Sequence, residues 1–214
     1  MTRFKSVVLD VDSTLSGVEG IDWLASLRGA EVEAWSAALT ARAMEGVIPI
    51  ETVYGERMRV VKPTLSEIQE LGAVYLDRVA AGARETLAEL RARDVEIVMV
   101  SGGLREAILP LAKELGVREE RVHAVSVFFD RDGEYTGFDE RSLLTLQNGK
   151  RSAVKKMALK GPVLAVGDGM TDCEIRPVVD GFAAFTGFMK RDPVVERADY
   201  VIENFDQLRA LVLE

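Results

Sequence analysis

Ser6-Val7-Val8-Leu9-Asp10-Val11-Asp12-Ser13-Thr14-Leu15 is the stretch on which the reading of the chain turns. Its first four residues form a short apolar run without polar alternation, the pattern of a strand buried on both faces of a parallel sheet. The run ends in two carboxylates two positions apart, which an extended backbone points to the same side. If the chain turns there, Asp10 and Asp12 converge on one site. One can attack an electrophile while also binding a metal, and the other can shuttle a proton. Acidic residues commonly end strands, so the pair alone says little. The longer acidic and hydroxyl run directly behind a hydrophobic strand is more specific.

Two later strands end in the same way. Val95 to Val100 leads into Ser101-Gly102-Gly103, and Val163 to Val166 leads into Gly167-Asp168-Gly169-Met170-Thr171-Asp172. Helices are expected over 83–91, 104–115 with Gly116 as the stop, 151–159 and 206–212. Two strands within 125–138 meet around Arg131-Asp132-Gly133, a hairpin signal. Strands alternating with helices predict an α/β fold: a three-layer Rossmann-like core with a mostly parallel sheet. Ligands gather beyond the C-terminal strand ends of such sheets, where the acidic and glycine-rich segments fall.

The segment between the first two of these strands differs. Ile21, Trp23, Leu24, Leu27, Val32, Trp35, Leu39, Ala43 and Met44 recur at helical spacing, and Pro49, Gly55 and Pro63 punctuate further helical pieces. No strand alternation appears there. The expected organisation is a catalytic core from residues 1–15 and 76–214, with a small helical cap over 16–75 inserted after the first strand.

Composition narrows the function classes. The chain has 214 residues, 48% of them hydrophobic, and a formal net charge of −8, which argues against a broad nucleic-acid surface. Its single cysteine, Cys173, excludes an internal disulfide and thiol-rich metal sites. No apolar run approaches the roughly 18 residues of a membrane span, and no signal-peptide pattern opens the sequence. The expectation is a cytoplasmic protein with no membrane or nucleic-acid partner. No heptad or interface stripe decides between monomer and homodimer.

The chemistry-bearing residues point to phosphate. Asp168 offers a hard oxygen ligand to Mg²⁺, with Asp172 beside it, and the flanking glycines permit tight turning. Ser101 with Gly102 and Gly103 offers a hydroxyl and unhindered N–H groups at an expected helix start, a small anion cradle. Lys150, just ahead of a helix, can neutralise phosphate oxygens. Lys155, Lys156 and Lys160 are rivals, and spacing alone does not choose among them. His123 reads as structural, and Cys173 as buried packing.

Taken together, Asp10-Val11-Asp12-Ser13-Thr14, Ser101-Gly102-Gly103, Lys150 and Gly167-Asp168-Gly169-Met170-Thr171-Asp172 resemble the motifs of the haloacid dehalogenase superfamily, over essentially the whole chain. The resemblance implies a nucleophilic Asp10, an acid/base Asp12, phosphate binding by Ser101, Gly102 and Lys150, and an Mg²⁺ site. Asp10, Asp168 and the backbone carbonyl of Asp12 would hold the ion, with Asp172 either direct or one layer out.

Further residues resemble the phosphoserine phosphatase-like branch: Glu19-Gly20, Arg42-Ala43-Met44-Glu45-Gly46, Arg57, Gly133-Glu134-Tyr135-Thr136-Gly137 and Asn148-Gly149-Lys150. That likeness implies hydrolysis of a small phosphorylated amino acid, O-phospho-L-serine, through an aspartyl-phosphate. Glu19 would pair with the ammonium, Arg57 with the carboxylate, and Met44 would form an apolar wall. The corresponding place would be amino-acid (serine) biosynthesis. Ile50 stands where the branch usually has an aromatic residue, and Val125-Ser126-Val127-Phe128 departs from its usual stretch. A homoserine phosphotransferase, a phosphatase for another monoester such as a sugar phosphate, and a phosphate- or metal-binding regulatory domain remain open at this point.

Overall fold

A computed structural model describes residues 2–214. In chain order the elements are β1 (Ser6–Leu9), α1 (Gly20–Ser26), α2 (Ala30–Met44), α3 (Glu51–Val61), α4 (Leu65–Asp77), α5 (Ala83–Ala92), β2 (Glu96–Leu104), α6 (Arg105–Glu114), β3 (Val122–Val125), β4 (Val127–Phe129), β5 (Tyr135–Phe138), α7 (Gly149–Lys155), β6 (Val163–Gly167), α8 (Met170–Cys173), β7 (Gly181–Phe185), α9 (Asp192–Val195), β8 (Tyr200–Ile202) and α10 (Phe205–Leu213).

Six strands form one sheet in the order β3-β2-β1-β6-β7-β8, every neighbouring pair parallel. The chain builds outward from β1 through β2 to β3, then crosses back to β6 and builds the other way. Right-handed crossovers in opposite directions place helices on opposite faces, giving the α/β, Rossmann-like, three-layer arrangement. β1, β6 and β7 are buried along their whole length, which explains their unbroken apolar composition. The strand order reverses between β1 and β6. Such a switch point opens a crevice at the carboxyl ends of the two strands.

Four helices, α1 to α4, lie between β1 and α5. Their apolar side chains, including Leu24, Tyr54, Met58 and Leu71, join the main hydrophobic cluster. Helix α4 begins with a reciprocal cap: Thr64 Oγ1 accepts from the Glu67 N–H, and the Glu67 carboxylate accepts from the Thr64 N–H. Gly55, read from sequence as punctuation, lies inside α3, which its neighbours Val53, Tyr54 and Met58 anchor by burial.

Two local expectations are corrected. β2 does not end at Ser101; it runs through Gly102 and Gly103 to Leu104, with a shift of register against β3 between Val100 and Leu104. Leu104 is held in the sheet because it is fully buried and pairs with Val125. Lys150 is inside the first turn of α7, behind Asn148 in a left-handed conformation (φ 57°). The hairpin expected within 125–138 is present as the antiparallel pair β4 and β5, while β3, just ahead of it, joins the main sheet. Among the described residues no helix is long and apolar enough to cross a membrane.

Candidate active site

The site lies where β1 and β6 end. The Asp10 N–H still bonds to the Val166 carbonyl (3.0 Å), so β1 and β6 hold the first carboxylate rigidly between them. Beyond it the chain turns at once: the Thr14 and Leu15 N–H groups return to the Val11 carbonyl, and Ser13 adopts a positive φ of 52°. This turn brings Asp12 round so that both carboxylates line one cavity. Asp12 Oδ1 accepts from the Tyr75 hydroxyl at 2.5 Å and from the Gly20 N–H at 3.4 Å. The other oxygen, Oδ2, lies beside Gly103, 3.0 Å from where a Cβ on that residue would be.

Gly20 is required by the same contact. A Cβ there would lie 2.2 Å from the Tyr75 hydroxyl, so no side chain fits while Tyr75 reaches Asp12.

After β6, Gly167-Asp168-Gly169 turns into α8 and places Asp168 and Asp172 opposite Asp10. A Cβ on Gly167 would lie 2.2 Å from Asp172 Cγ, so the bare backbone lets the Asp172 side chain fold back. There Asp172 Oδ2 accepts from the Gly169 N–H at 3.1 Å. Asp10, Asp168 and Asp172 are all buried, and each presents an oxygen within 4.8 Å of the others. Lys150 Nζ sits between two of them, 2.7 Å from Asp10 Oδ1 and 2.7 Å from Asp172 Oδ1. Lys155, Lys156 and Lys160 are exposed, so geometry makes the choice that spacing left open. Arg191 pairs with Asp168 and lies 3.6 Å from Glu19.

These neighbours shift the acidity of the group. Burial, followed by the Glu19 and Asp10 carboxylates, pushes Asp12 well above the usual carboxylate range. Burial and then Asp10 raise Asp172 to about 7. Burial also raises Glu19, against the opposing hydrogen bond from Ser13 Oγ at 2.7 Å. For Lys150, burial acts to lower the value, but the Asp10 and Asp172 carboxylates outweigh it and the ammonium is held charged.

The arrangement fits a hard divalent cation. Asp10, Asp12, Asp168, Asp172 and Glu19 share a region in which only Lys150 and Arg191 supply positive charge directly. Asp10 Oδ1 has the Lys150 ammonium 2.7 Å away and no other polar partner. A surplus of buried carboxylate oxygen over cationic partners is the donor set that Mg²⁺ accepts.

Ser101, fully buried in β2, lines the same cavity with Gly102 and Gly103. Its hydroxyl accepts from the Gly103 N–H at 2.9 Å. It is not the cap of α6, since Leu104 occupies that position. The expected cradle is therefore a strand end rather than a helix start.

Glu19, Ile21, Thr40, Met44, Ile50, Tyr54 and Arg57 line the same cavity. Met44 reaches the acidic loop, with its sulfur 3.8 Å from Thr171 Oγ1. Arg57 is buried, its Nε donating to Ser36 Oγ at 3.0 Å and its Nη2 to Asp22 Oδ1 at 2.7 Å. Asp22 also accepts from Ser36 and Thr40. This network engages Nε and Nη2 of the guanidinium and leaves Nη1 without a hydrogen-bond partner.

All the residues expected from sequence except Asp172 line this cavity directly; Asp172 stands behind Lys150 and Asp168. Sequence reasoning missed Arg191, Tyr75, Tyr54 and Asp22. None belongs to a local pattern: Arg191-Asp192-Pro193 reads as an ordinary helix start, and Tyr75 as one more apolar position of α4.

The model of the haloacid dehalogenase-like hydrolases matches residues 4–175. The chain belongs to that family. Among relatives of this hydrolase, the chloroplastic phosphoserine phosphatase of Arabidopsis thaliana is 37% identical over 215 residues, covering 95% of this chain and 70% of the relative. The phosphoserine phosphatase of Homo sapiens is 34% identical over 206 residues, covering 95% of this chain and 91% of that one. Among solved structures, a phosphoserine phosphohydrolase-like protein from Francisella tularensis superimposes with a TM-score of 0.89 at 26% identity, over 98% of this chain and all of its own (100%). A substrate-bound phosphoserine phosphatase complex gives 0.80 at 27% identity, over 99% and 98% of the two chains.

Proposed function

We propose that this hydrolase is an Mg²⁺-dependent phosphoserine phosphatase, with residues 16–75 acting as the cap that selects the substrate. The observation that carries the reading is one cavity lined by two chemically distinct sets of groups. The carboxylates with Lys150 and Ser101 form one set, and Glu19, Met44 and Arg57 form the other. Phosphoserine has a phosphate to match the first and an ammonium and carboxylate to match the second. The names of the relatives point the same way.

In the proposed reaction Asp10 attacks phosphorus in line with the ester oxygen. The P–O bond breaks as the new acyl-phosphate bond forms, and Asp12, whose carboxyl burial and acidic neighbours make a weaker acid than usual, gives a proton to the departing serine oxygen. Asp12 then removes a proton from water, which attacks the aspartyl-phosphate and returns Asp10. Lys150 and Ser101 hold phosphoryl oxygens through the transfer. Asp10, Asp168, Asp172 and the Asp12 carbonyl are the groups that would hold Mg²⁺, whose charge reduces the repulsion between Asp10 and a phosphate dianion. Glu19 takes the ammonium, Met44 supplies an apolar wall, and Arg57 takes the carboxylate.

Hydrolysis of phosphoserine, phosphothreonine, sugar phosphates and nucleotides in the presence of Mg²⁺ tests the reading. Phosphoserine is expected to be the best substrate. Sugar phosphates turned over equally well would overturn the assignment.

A further inference from the structure

The hydroxyl of Tyr54 has no role in the reaction described above. Tyr54 is 2% exposed, and its ring packs edge-on against Phe138 of β5, with centroids 5.3 Å apart. The hydroxyl is sealed from bulk water and has no hydrogen-bond partner. Only two other buried side-chain polar atoms among the described residues share that condition, Thr2 Oγ1 and Asp10 Oδ1. Asp10 and Tyr54 line the same cavity. An unsatisfied buried hydroxyl is costly. A buried donor that lines a cavity and has no partner marks where a ligand oxygen would be held.

The position indicates what the hydroxyl meets. Tyr54 lies three residues before Arg57 on α3, so the two side chains are neighbours on one helix face. Both line the cavity, and both are buried. Arg57 is fixed by Asp22 and Ser36, with Nη1 left without a hydrogen-bond partner. Burial pushes the phenol far above its ordinary range, with only a partial opposing effect from Arg57. The group is therefore a permanent O–H donor at neutral pH. A donor beside a guanidinium complements an anion with two oxygens.

We infer that Tyr54 is a specificity-determining residue whose hydroxyl donates a hydrogen bond to the substrate carboxylate held by Arg57. The inference rests on the amino-acid phosphate reading and assigns that site a second carboxylate donor. It places the discrimination between an amino-acid phosphate and its decarboxylated analogue partly on a group outside the charged pair.

Tyr54→Phe removes the hydroxyl and keeps the ring against Phe138. The test compares phosphoserine with phosphoethanolamine, which has the same phosphate and ammonium but no carboxylate. In the variant, kcat/KM for phosphoserine is expected to fall about tenfold or more, mainly through KM, as befits a lost hydrogen bond to a charged group. Phosphoethanolamine should be used as before, and the melting temperature should not fall. An unchanged ratio between the two substrates, or an equal loss on both, would overturn the role of Tyr54 while leaving the phosphatase assignment intact. A wild-type enzyme with no preference for phosphoserine over phosphoethanolamine would overturn both.

Discussion

The Tyr75 hydroxyl donates to Asp12 Oδ1 across 2.5 Å, joining the fully buried Tyr75 of α4 to the proposed acid/base carboxylate behind β1. With the Gly20 N–H it engages one oxygen of Asp12 and turns the other toward the Ser101–Gly103 strand end. Tyr75→Phe should therefore leave the fold in place and lower kcat for phosphoserine by about tenfold, the scale of one lost hydrogen bond to a charged group. Steady-state kinetics with a parallel thermal melt would check it, and an undiminished kcat would dismiss the positioning role.

Asp10→Asn removes the proposed nucleophile but keeps its shape between β1 and β6. The variant should form no acid-stable phosphate adduct, and turnover should drop to background. Mass spectrometry of quenched reactions reads the first outcome directly. Normal turnover by this variant would refute the nucleophile.

Asp22 holds Arg57 by a largely buried ion pair, with side chains 13% and 7% exposed. Asp22→Asn strands the guanidinium charge, which should destabilise the protein by about 3 kcal/mol and raise KM for phosphoserine. Hydrolysis of an aryl phosphate lacking a carboxylate should be much less affected. Equal losses on both substrates would mean that Arg57 does not read the carboxylate.

The surplus of buried carboxylate around Asp10, Asp168 and Asp172 makes a direct prediction for stability. Adding Mg²⁺ to chelator-treated protein should raise its melting temperature, and at one hundred times Kd the stabilisation is about 2.7 kcal/mol. Asp168→Asn should abolish most of that shift. A melting curve indifferent to Mg²⁺ would rule against the site.

Away from the site, Arg28 grips both oxygens of Glu67 at 2.6 Å and holds its pKa below the ordinary 4.5. A carboxyl with a depressed folded-state value contributes stability above its unfolded value and loses it as pH falls through the folded one. Glu67→Gln should thus be less stable than the wild type by about 1 kcal/mol at neutral pH. The two should converge as the pH drops below 4.5. Parallel melting curves down to strong acid would show that the pair contributes nothing.

The parts of this protein that were legible in its sequence are those in which one local pattern carries the structure. The unbroken apolar run 6–9 and its acidic end announced both β1 and the first half of the site, because burial on two faces demands such a composition. Residues 163–172 announced the second half in the same way. The limit of β2 was missed because Leu104 stays in the sheet through packing on a distant strand, which spacing does not record. Lys150 was separable from its neighbours only in three dimensions. Arg191 and Tyr75 approach the carboxylates from segments far along the chain, and nothing adjacent to either residue marks it.

A Cβ at position 20 would need the space that the Tyr75 hydroxyl fills, although the residues are fifty-five positions apart in the chain. Neither position is therefore free to drift alone. A lineage that acquires a side chain at position 20 must first give up the phenol at 75, and one that keeps the phenol is bound to glycine. In an alignment of close descendants these two columns should change together, and the order of change should run from 75 to 20.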